Sequence, residues 1–523
     1  MLSDIHLSTW SEFTSMNANL TFRVLILLAI SSAIFLYRFW NTTSRLPPGP
    51  RGLPLVGYLP FIDPNLHLEF TKMAQRFGPI FKIQLGCKNY IIVSSSDLAK
   101  VVVNDQDDIF ANRDPPVAAL ILSYGGLDIT WSDNNLYWRN MRKVLVQEVL
   151  SNKNLEASSS FRRTGVRKTI KNVYDKIGTE MDIGGIAFST SLTVITCLVW
   201  GKSLNEEEQN HNLGDGFREV ISGVMDIVGE ANMSDLFPAL TRFDIQGVQQ
   251  KMKNQFKKFD AILQRIIDDR MRLKPEETTD QKGRKDFVQI LLELKEQNTA
   301  SSFNLTQIKA FLVDFFIAGT DTTTVMAEWT MTEVLKHRDI MKKIQEELEQ
   351  VVGQNNIVEE SHLTKLRYLE AVVKETFRLH PALPLLVVRC PSKACTVGGY
   401  TVPKGSNVYL NVWAIHRDPN YWENPLEFDP DRFLNPDGTT KFSYKGMNTN
   451  FLAFGSGRRR CPGVPMAEKM LMYLLASLLH SFNWTLPDEK EREMPDKFGV
   501  VLKKGNPLIA IPSQRLADIT LYM

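Results

Sequence analysis

Apolar positions along this chain follow two rhythms. A helical period dominates, and strict alternation is confined to short stretches. Phe81-Lys82-Ile83-Gln84-Leu85 alternates, and Tyr90-Ile91-Ile92-Val93 is a continuous apolar run. With Gly86 and Asn89 between them, Pro79 to Val93 predicts a hairpin. The tail from Trp484 to Pro512 predicts another. Residues 155–300 read as helices with polar breaks, including the charged run Lys274 to Lys285. Phe217, Val220 and Val224 in that region read as core. Trp138 and Arg142 are spaced i, i+4 on a predicted helix and share a face. From Asn304, a plausible N-cap, the helical period runs to about His337, roughly 50 Å of helix. A further helix ends at Lys374-Glu375-Thr376-Phe377-Arg378-Leu379-His380, stopped by Pro381. Residues from about Phe110 to Thr130 carry Pro115, Pro116, Gly125 and Gly126 and predict a long loop. That loop is apolar at Val117, Leu120, Ile121 and Leu122, as a loop lining a pocket would be.

The N-terminus has its own pattern. Leu20 to Trp40 is mostly apolar, with a charge-free centre from Val24 to Tyr37. The whole stretch reaches the ~20 residues of a membrane span, with Arg23 and Arg38 snorkelling near its ends. A cleaved signal peptide is the alternative, but bulky Tyr37, Phe39 and Trp40 follow the segment rather than a small-residue cleavage site. Arg38, Arg45 and Arg51 follow it, whereas Asp4 and Glu12 precede it, so the positive-inside bias places the main body in the cytosol. Leu46-Pro47-Pro48-Gly49-Pro50-Arg51-Gly52-Leu53-Pro54 then forms a stiff linker. The expected organisation is an anchor in residues 1–45 and one catalytic domain in residues 46–523.

Within the long helix stands Ala318-Gly319-Thr320-Asp321-Thr322-Thr323. Gly, Thr and Asp are poor helix formers. A local rule broken mid-helix marks either a site or a close helix crossing. A hydroxyl and a carboxylate there can relay protons into an apolar cavity. Glu375 and Arg378, spaced i, i+3, can pair.

Composition narrows the picture. The chain has 523 residues, a net charge of +2, 43% hydrophobic and 23% charged residues, ordinary for a globular protein with a large core. Near-neutral charge gives no reason to invoke nucleic acid. Its five scattered cysteines argue against a disulfide framework and for a reducing compartment. Cys197 reads as core. Cys461 is different. It lies in Phe454-Gly455-Ser456-Gly457-Arg458-Arg459-Arg460-Cys461-Pro462-Gly463. Neighbouring arginines predict a readily ionised thiol, and a thiolate is a strong, soft ligand for iron or zinc. No second cysteine or histidine lies nearby with zinc spacing. Gly457 and Gly463 allow a sharp turn and close approach of a flat ligand, which Phe454 can cover. His416, a lone histidine, reads as structural.

The run Phe454, Gly457, Arg459, Cys461 and Gly463 resembles the haem-binding loop of the cytochrome P-450 monooxygenases. So do three further segments in the same order: the Ala318–Thr323 motif, Glu375-x-x-Arg378, and Asp429-Pro430-Asp431-Arg432-Phe433. Asp431 stands where the family usually has glutamate, and Val388 where plant relatives usually have proline. The resemblance implies a mainly α fold with small β-sheets and haem b (iron protoporphyrin IX) ligated by Cys461. Trp138, Arg142, Arg389, Phe454 and Arg459 are then expected beside the haem, and Asp321 and Thr322 as the proton-delivering catalytic pair. Glu375, Arg378 and Arg432 are expected to form a buried three-charge network. The expected substrate pocket is Val117, Leu120, Ile121, Phe316, Ala318, Leu385, Leu386, Phe498 and Val500.

The same resemblance implies activation of dioxygen with electrons from NADPH–cytochrome P-450 reductase, docked on Arg139, Lys143, Arg458 and Arg460, at the endoplasmic reticulum membrane. Arg113-Asp114-Pro115-Pro116 and Phe243-Asp244-Ile245-Gln246-Gly247 are similar to a plant subgroup that includes hydroxylases of the cadinene type. A bicyclic sesquiterpene such as a cadinene is the expected substrate. A flavonoid, phenolic or aldoxime is the runner-up. A haem-thiolate isomerase or dehydratase that uses no dioxygen is a third class, and Thr322 speaks against it.

Overall fold

The structure is a computed structural model. It describes residue 26 and residues 28–32, 45–201, 211–272, 285–296, 303–487 and 495–523. The anchor expected over Leu20 to Trp40 and the charged run from Lys274 thus lie almost wholly outside the described residues.

Helices build most of the molecule. The longest, Leu305–Lys336, is capped as its sequence predicts. The Asn304 side chain accepts from Gln307 N, and the Gln307 side chain accepts from Asn304 N. This central helix packs against Ile183–Trp200, Arg367–Leu379 and Val464–Ser481. Two of these four, Ile183–Trp200 and Leu305–Lys336, are long and apolar enough to cross a membrane, yet both are mostly buried by the rest of the chain. Gly319 permits a close crossing. A Cβ there would stand 2.8 Å from Ile195 Cδ1 on the neighbouring helix. The small residue at 319 thus serves a helix crossing.

The sheets are small. Ile80–Leu85 pairs antiparallel with Lys88–Val93, as the alternation predicts, and Asn407–Leu410 joins parallel to the second strand. In the tail, Phe482–Thr485 pairs with Ile509–Gln514, with Trp484 opposite Pro512. Nested inside it, Asp496–Lys497 pairs with Lys503–Lys504. One expectation needs correcting. The stretch Phe110 to Thr130 is not all loop, because Val117–Leu122 forms a short helix. Its apolar side chains gain burial that an open loop would not give them.

A charge network joins the helix Arg367–Leu379 to the segment before the cysteine loop. Arg378 grips Glu375 with two bonds of 2.6 and 2.7 Å, both side chains fully buried. Arg432 Nε donates to Glu375 Oε1 at 3.0 Å. Arg378 also donates to the carbonyls of His416, Pro425 and Glu427. His416 is buried between Arg378 O and Leu452 N, and burial lowers its pKa to about 3. A neutral, doubly bonded ring is a structural one.

Removing the anion strands two cations in the interior. Glu375→Gln should lower unfolding free energy by about 3–5 kcal/mol. The urea midpoint checks this, and an unchanged midpoint refutes it.

Candidate functional site

The central helix, the cysteine loop and the segment Ala382–Arg389 enclose one cavity of about 350 Å³. Cys461 lines it, together with Phe454, Trp138, Arg142, Arg389 and Arg459 from the expected cofactor set. Asp321 and Thr322 line it from the central helix, and Ala318, Leu386 and Val500 from the expected pocket. Residues more than 300 positions apart in sequence are therefore brought to one wall.

The cysteine loop is held by its backbone. Cys461 N donates to Phe454 O at 3.0 Å, closing the loop on itself. Gly457 has φ +69°, and a Cβ there would collide with Val103 O at 2.2 Å. Its need for glycine thus comes from a neighbouring chain segment, whereas at Gly463 a Cβ would stand 3.6 Å from Cys461 Sγ. Phe454 packs on Phe377 and Tyr444, each with ring centroids 5.0 Å away.

The expected ease of ionisation of Cys461 is corrected. Burial pushes its thiol up, and outweighs the N–H groups of Gly463 and Val464 and the cations Arg142 and Arg460. The loop arginines are aimed elsewhere. Arg458 meets Asp107, and Arg460 Nη1 donates to Lys445 O. Arg459 spends its guanidinium on the carbonyls of Ala111, Ile129 and Ser132. A bound metal ion removes the thiol proton outright, whatever the apo balance.

Arginines crowd the same cavity. Arg459 lies over the Trp138 ring, 4.1 Å from its centroid, and Trp138 Nε1 donates to Ile129 O. Arg142 Nη2 donates to Arg460 O at 2.6 Å. Arg389 Nη2 donates to Ser456 O, while its buried Nη1 has no hydrogen bond. Arg113, missed in the sequence reading, donates to the carbonyls of Thr130, Val387 and Val388. Burial lowers Arg389 to about 10. Burial, with Arg389 and Arg142 as neighbours, lowers Arg459 to about 9. Arg142 and Arg113 are lowered too, burial again first. Arg389 Nη1 meets Asp107 Oδ1 at 3.7 Å, too long for a hydrogen bond. Four partly desolvated cations around one cavity match a dianionic ligand. Haem, with two propionates and an iron for Cys461, fits this donor set.

Buried acids line the cavity as well. Asp321 Oδ1 meets Lys503 Nζ at 3.0 Å, and burial raises its pKa against that lysine. Thr322 Oγ1 donates to Ala318 O at 2.7 Å, leaving its lone pairs free. Asp314 accepts from Ile129 N and Thr130 Oγ1 at 2.6 and 2.7 Å, and burial raises it to about 6. Asp128 beside it is raised by burial and by Asp314. Nothing in the sequence singled out Asp314, Asp128 or Lys503. Asp314 stands seven residues before Asp321 on the helix, which is the one available signal.

Six expected pocket residues lie off the cavity wall. Phe316 turns the other way, against Phe217 and Phe259, and Phe315 lines the cavity instead. Two residues along a helix rotate a side chain by about 200°, so Phe316 cannot share Ala318's face. Leu385 packs into the core of the first hairpin, and Phe498 stacks on His67. Val117 starts its short helix with N bonded to Asp235, Leu120 is turned to solvent, and Ile121 packs onto the neighbouring core. Leu122 of the same helix reaches the cavity. The core reading of Phe217, Val220 and Val224 agrees with their burial.

With this geometry in hand, known proteins can be compared. The model of the family Cytochrome P450 matches residues 47–511. The chain is 34% identical to 3,9-dihydroxypterocarpan 6A-monooxygenase of Glycine max, over 95% of this chain and 99% of that protein. It is 36% identical to geraniol 8-hydroxylase of Catharanthus roseus, over 93% of this chain and 99% of that protein. A zebra fish cytochrome P450 solved with abiraterone superposes with a TM-score of 0.72 at 25% identity, covering 86% of this chain and 100% of that one. The chain thus belongs to the cytochrome P450 family of haem b monooxygenases, with plant members among its relatives.

Proposed function

We propose that this enzyme hydroxylates a bicyclic sesquiterpene hydrocarbon of the cadinene type, with NADPH–cytochrome P-450 reductase as its electron source. One observation carries the substrate class. Much of the cavity wall is apolar, including Leu122, Val313, Ile317, Ala318, Leu386 and Val500. Most polar atoms of the charged groups there are already engaged with one another, with backbone or with Thr130. Such a wall desolvates a ligand but gives few hydrogen bonds to orient it. The relative that carries geraniol in its name is consistent with a terpenoid ligand.

When bound, haem iron ligated by the Cys461 thiolate supplies dioxygen activation, the thiolate favouring cleavage of the oxygen–oxygen bond. The chain's own residues do the rest. Arg142, Arg389, Arg459 and Arg113 would hold the propionates, with Trp138 packed under Arg459. Leu386 and Phe454 shield the cavity from water. Asp321 and Thr322 hold and pass protons at their carboxylate and hydroxyl oxygens, at a polar break in a largely apolar wall.

A phenolic substrate is the second reading. Ser191 Oγ lines the cavity, is buried and has no partner, so a ligand hydroxyl could bond there. The relative named for a dihydroxypterocarpan points the same way.

Three outcomes are expected. Cys461→Ser should abolish the red-shifted Soret band of the reduced, carbon-monoxide-bound form while circular dichroism stays near wild type. A retained band removes Cys461 from the iron. Thr322→Ala, assayed with added reductase, should keep consuming NADPH but divert it from product to peroxide. Unchanged coupling takes Thr322 out of proton delivery. A high-spin spectral shift on adding cadinenes, and none with flavonoids or pterocarpans, is the outcome for a sesquiterpene hydroxylase. The reverse pattern favours the phenolic reading.

A further inference from the structure

The Asp321 carboxylate is held from outside its own helix. Its partner Lys503 lies in the nested tail hairpin, with Nζ 3.0 Å from Asp321 Oδ1. The two side chains differ in access, 8% exposed for Asp321 and 30% for Lys503. The pair therefore runs from the cavity wall to solvent. Asp321 Oδ2 is buried and has no hydrogen-bond partner. The other charged group acting on Asp321 is Asp226, on the helix His211–Gly229, and it opposes the lysine.

The hairpin cannot drift. Leu502 N donates to Ala382 O at 2.9 Å, and Leu502 O accepts from Trp329 Nε1 at 3.1 Å. Lys504 Nζ donates to Thr332 Oγ1 at 3.0 Å and lies over the Trp329 ring. Lys503 itself pairs with Lys497 across the hairpin. Residues on both sides of Lys503 are thus pinned to the central helix or to the segment after Pro381. A long side chain on a fixed backbone loses less entropy when it forms an ion pair.

We propose that Lys503 is a positioning residue for proton delivery, holding Asp321 by one oxygen so that the other is free to exchange protons between solvent and the cavity. This rests on the assignment of Asp321 and Thr322 to proton delivery made above. The balance is simple. Protonated Asp321 releases its proton toward Thr322 and becomes carboxylate. The carboxylate then takes a proton from water on that same free oxygen, Oδ2, and Lys503 keeps its own charge throughout. Each cycle moves one proton from solvent to the cavity.

Substitution at 503, compared with Asp321→Asn, tests this on the haem-loaded enzyme. The first readout is infrared. The carboxylic acid band lost in Asp321→Asn reports protonated Asp321 and is followed against pH. Without the cation, burial and Asp226 act unopposed, so in Lys503→Met the band should persist to higher pH than in wild type. Lys503→Arg should restore the wild-type midpoint. The second readout is kinetic. Lys503→Met should lower kcat roughly tenfold or more, with KM and the substrate-induced spectral shift unchanged and a larger solvent deuterium isotope effect. Lys503→Gln repeats the comparison with a polar side chain should methionine impair folding. An infrared midpoint and a kcat that both ignore the loss of the cation overturn the proposal. Full turnover in Asp321→Asn overturns the relay itself, whatever the band does.

Discussion

Everything around the cavity hangs on the cost of burying carboxylates along the central helix. Asp314, Asp321, Glu328 and Glu333 are all largely buried there, and a buried carboxylate needs a partner. Each finds one on a different distant segment. Asp314 binds Ile129 and Thr130, and Asp321 binds Lys503. Glu328 takes Leu508 N at 2.8 Å, and Glu333 takes His380 Nε2 at 2.8 Å. The first three acids recur every seven residues and so share a face. The helix acts as a ruler on which the loop before Trp138 and the whole tail hairpin are registered.

The arginines of the cavity obey the same physics with reversed sign. Arg113, Arg142, Arg389 and Arg459 donate mainly to carbonyl oxygens, and Arg389 also faces Asp107 at 3.7 Å. Carbonyls satisfy donors but carry no net charge, so burial still lowers these guanidinium pKa values. On the proposed reading, the propionates of a bound haem would complete the balance. Burial disposes the cysteine poorly to ionise, and a bound iron would make the thiolate.

Glu375 shows how far this principle reaches beyond the cavity. One carboxylate holds Arg378 and Arg432, and Arg378 then collects three carbonyls from the chain that leads into the cysteine loop. A single buried anion therefore organises a segment with little regular secondary structure of its own.

Local chemistry was legible in the sequence wherever it is encoded by neighbours in the chain. Asn304 predicts the start of the central helix because N-capping is a local hydrogen-bond pattern. The alternation around Gly86 predicts the first hairpin, and the run from Phe454 to Gly463 marks the loop that meets the cavity. Facing was not legible. Phe316, Leu385 and Phe498 are as apolar as Phe315, Leu386 and Val500, yet only the latter three reach the cavity. Nor does anything near Lys503 in the chain foretell Asp321 as its partner. Apolar character determines that a side chain is buried, and the helix and hairpin signals determine the local backbone. Which wall it is buried against depends on helix crossings such as Gly319 on Ile195, and on ion pairs that close only when distant segments meet.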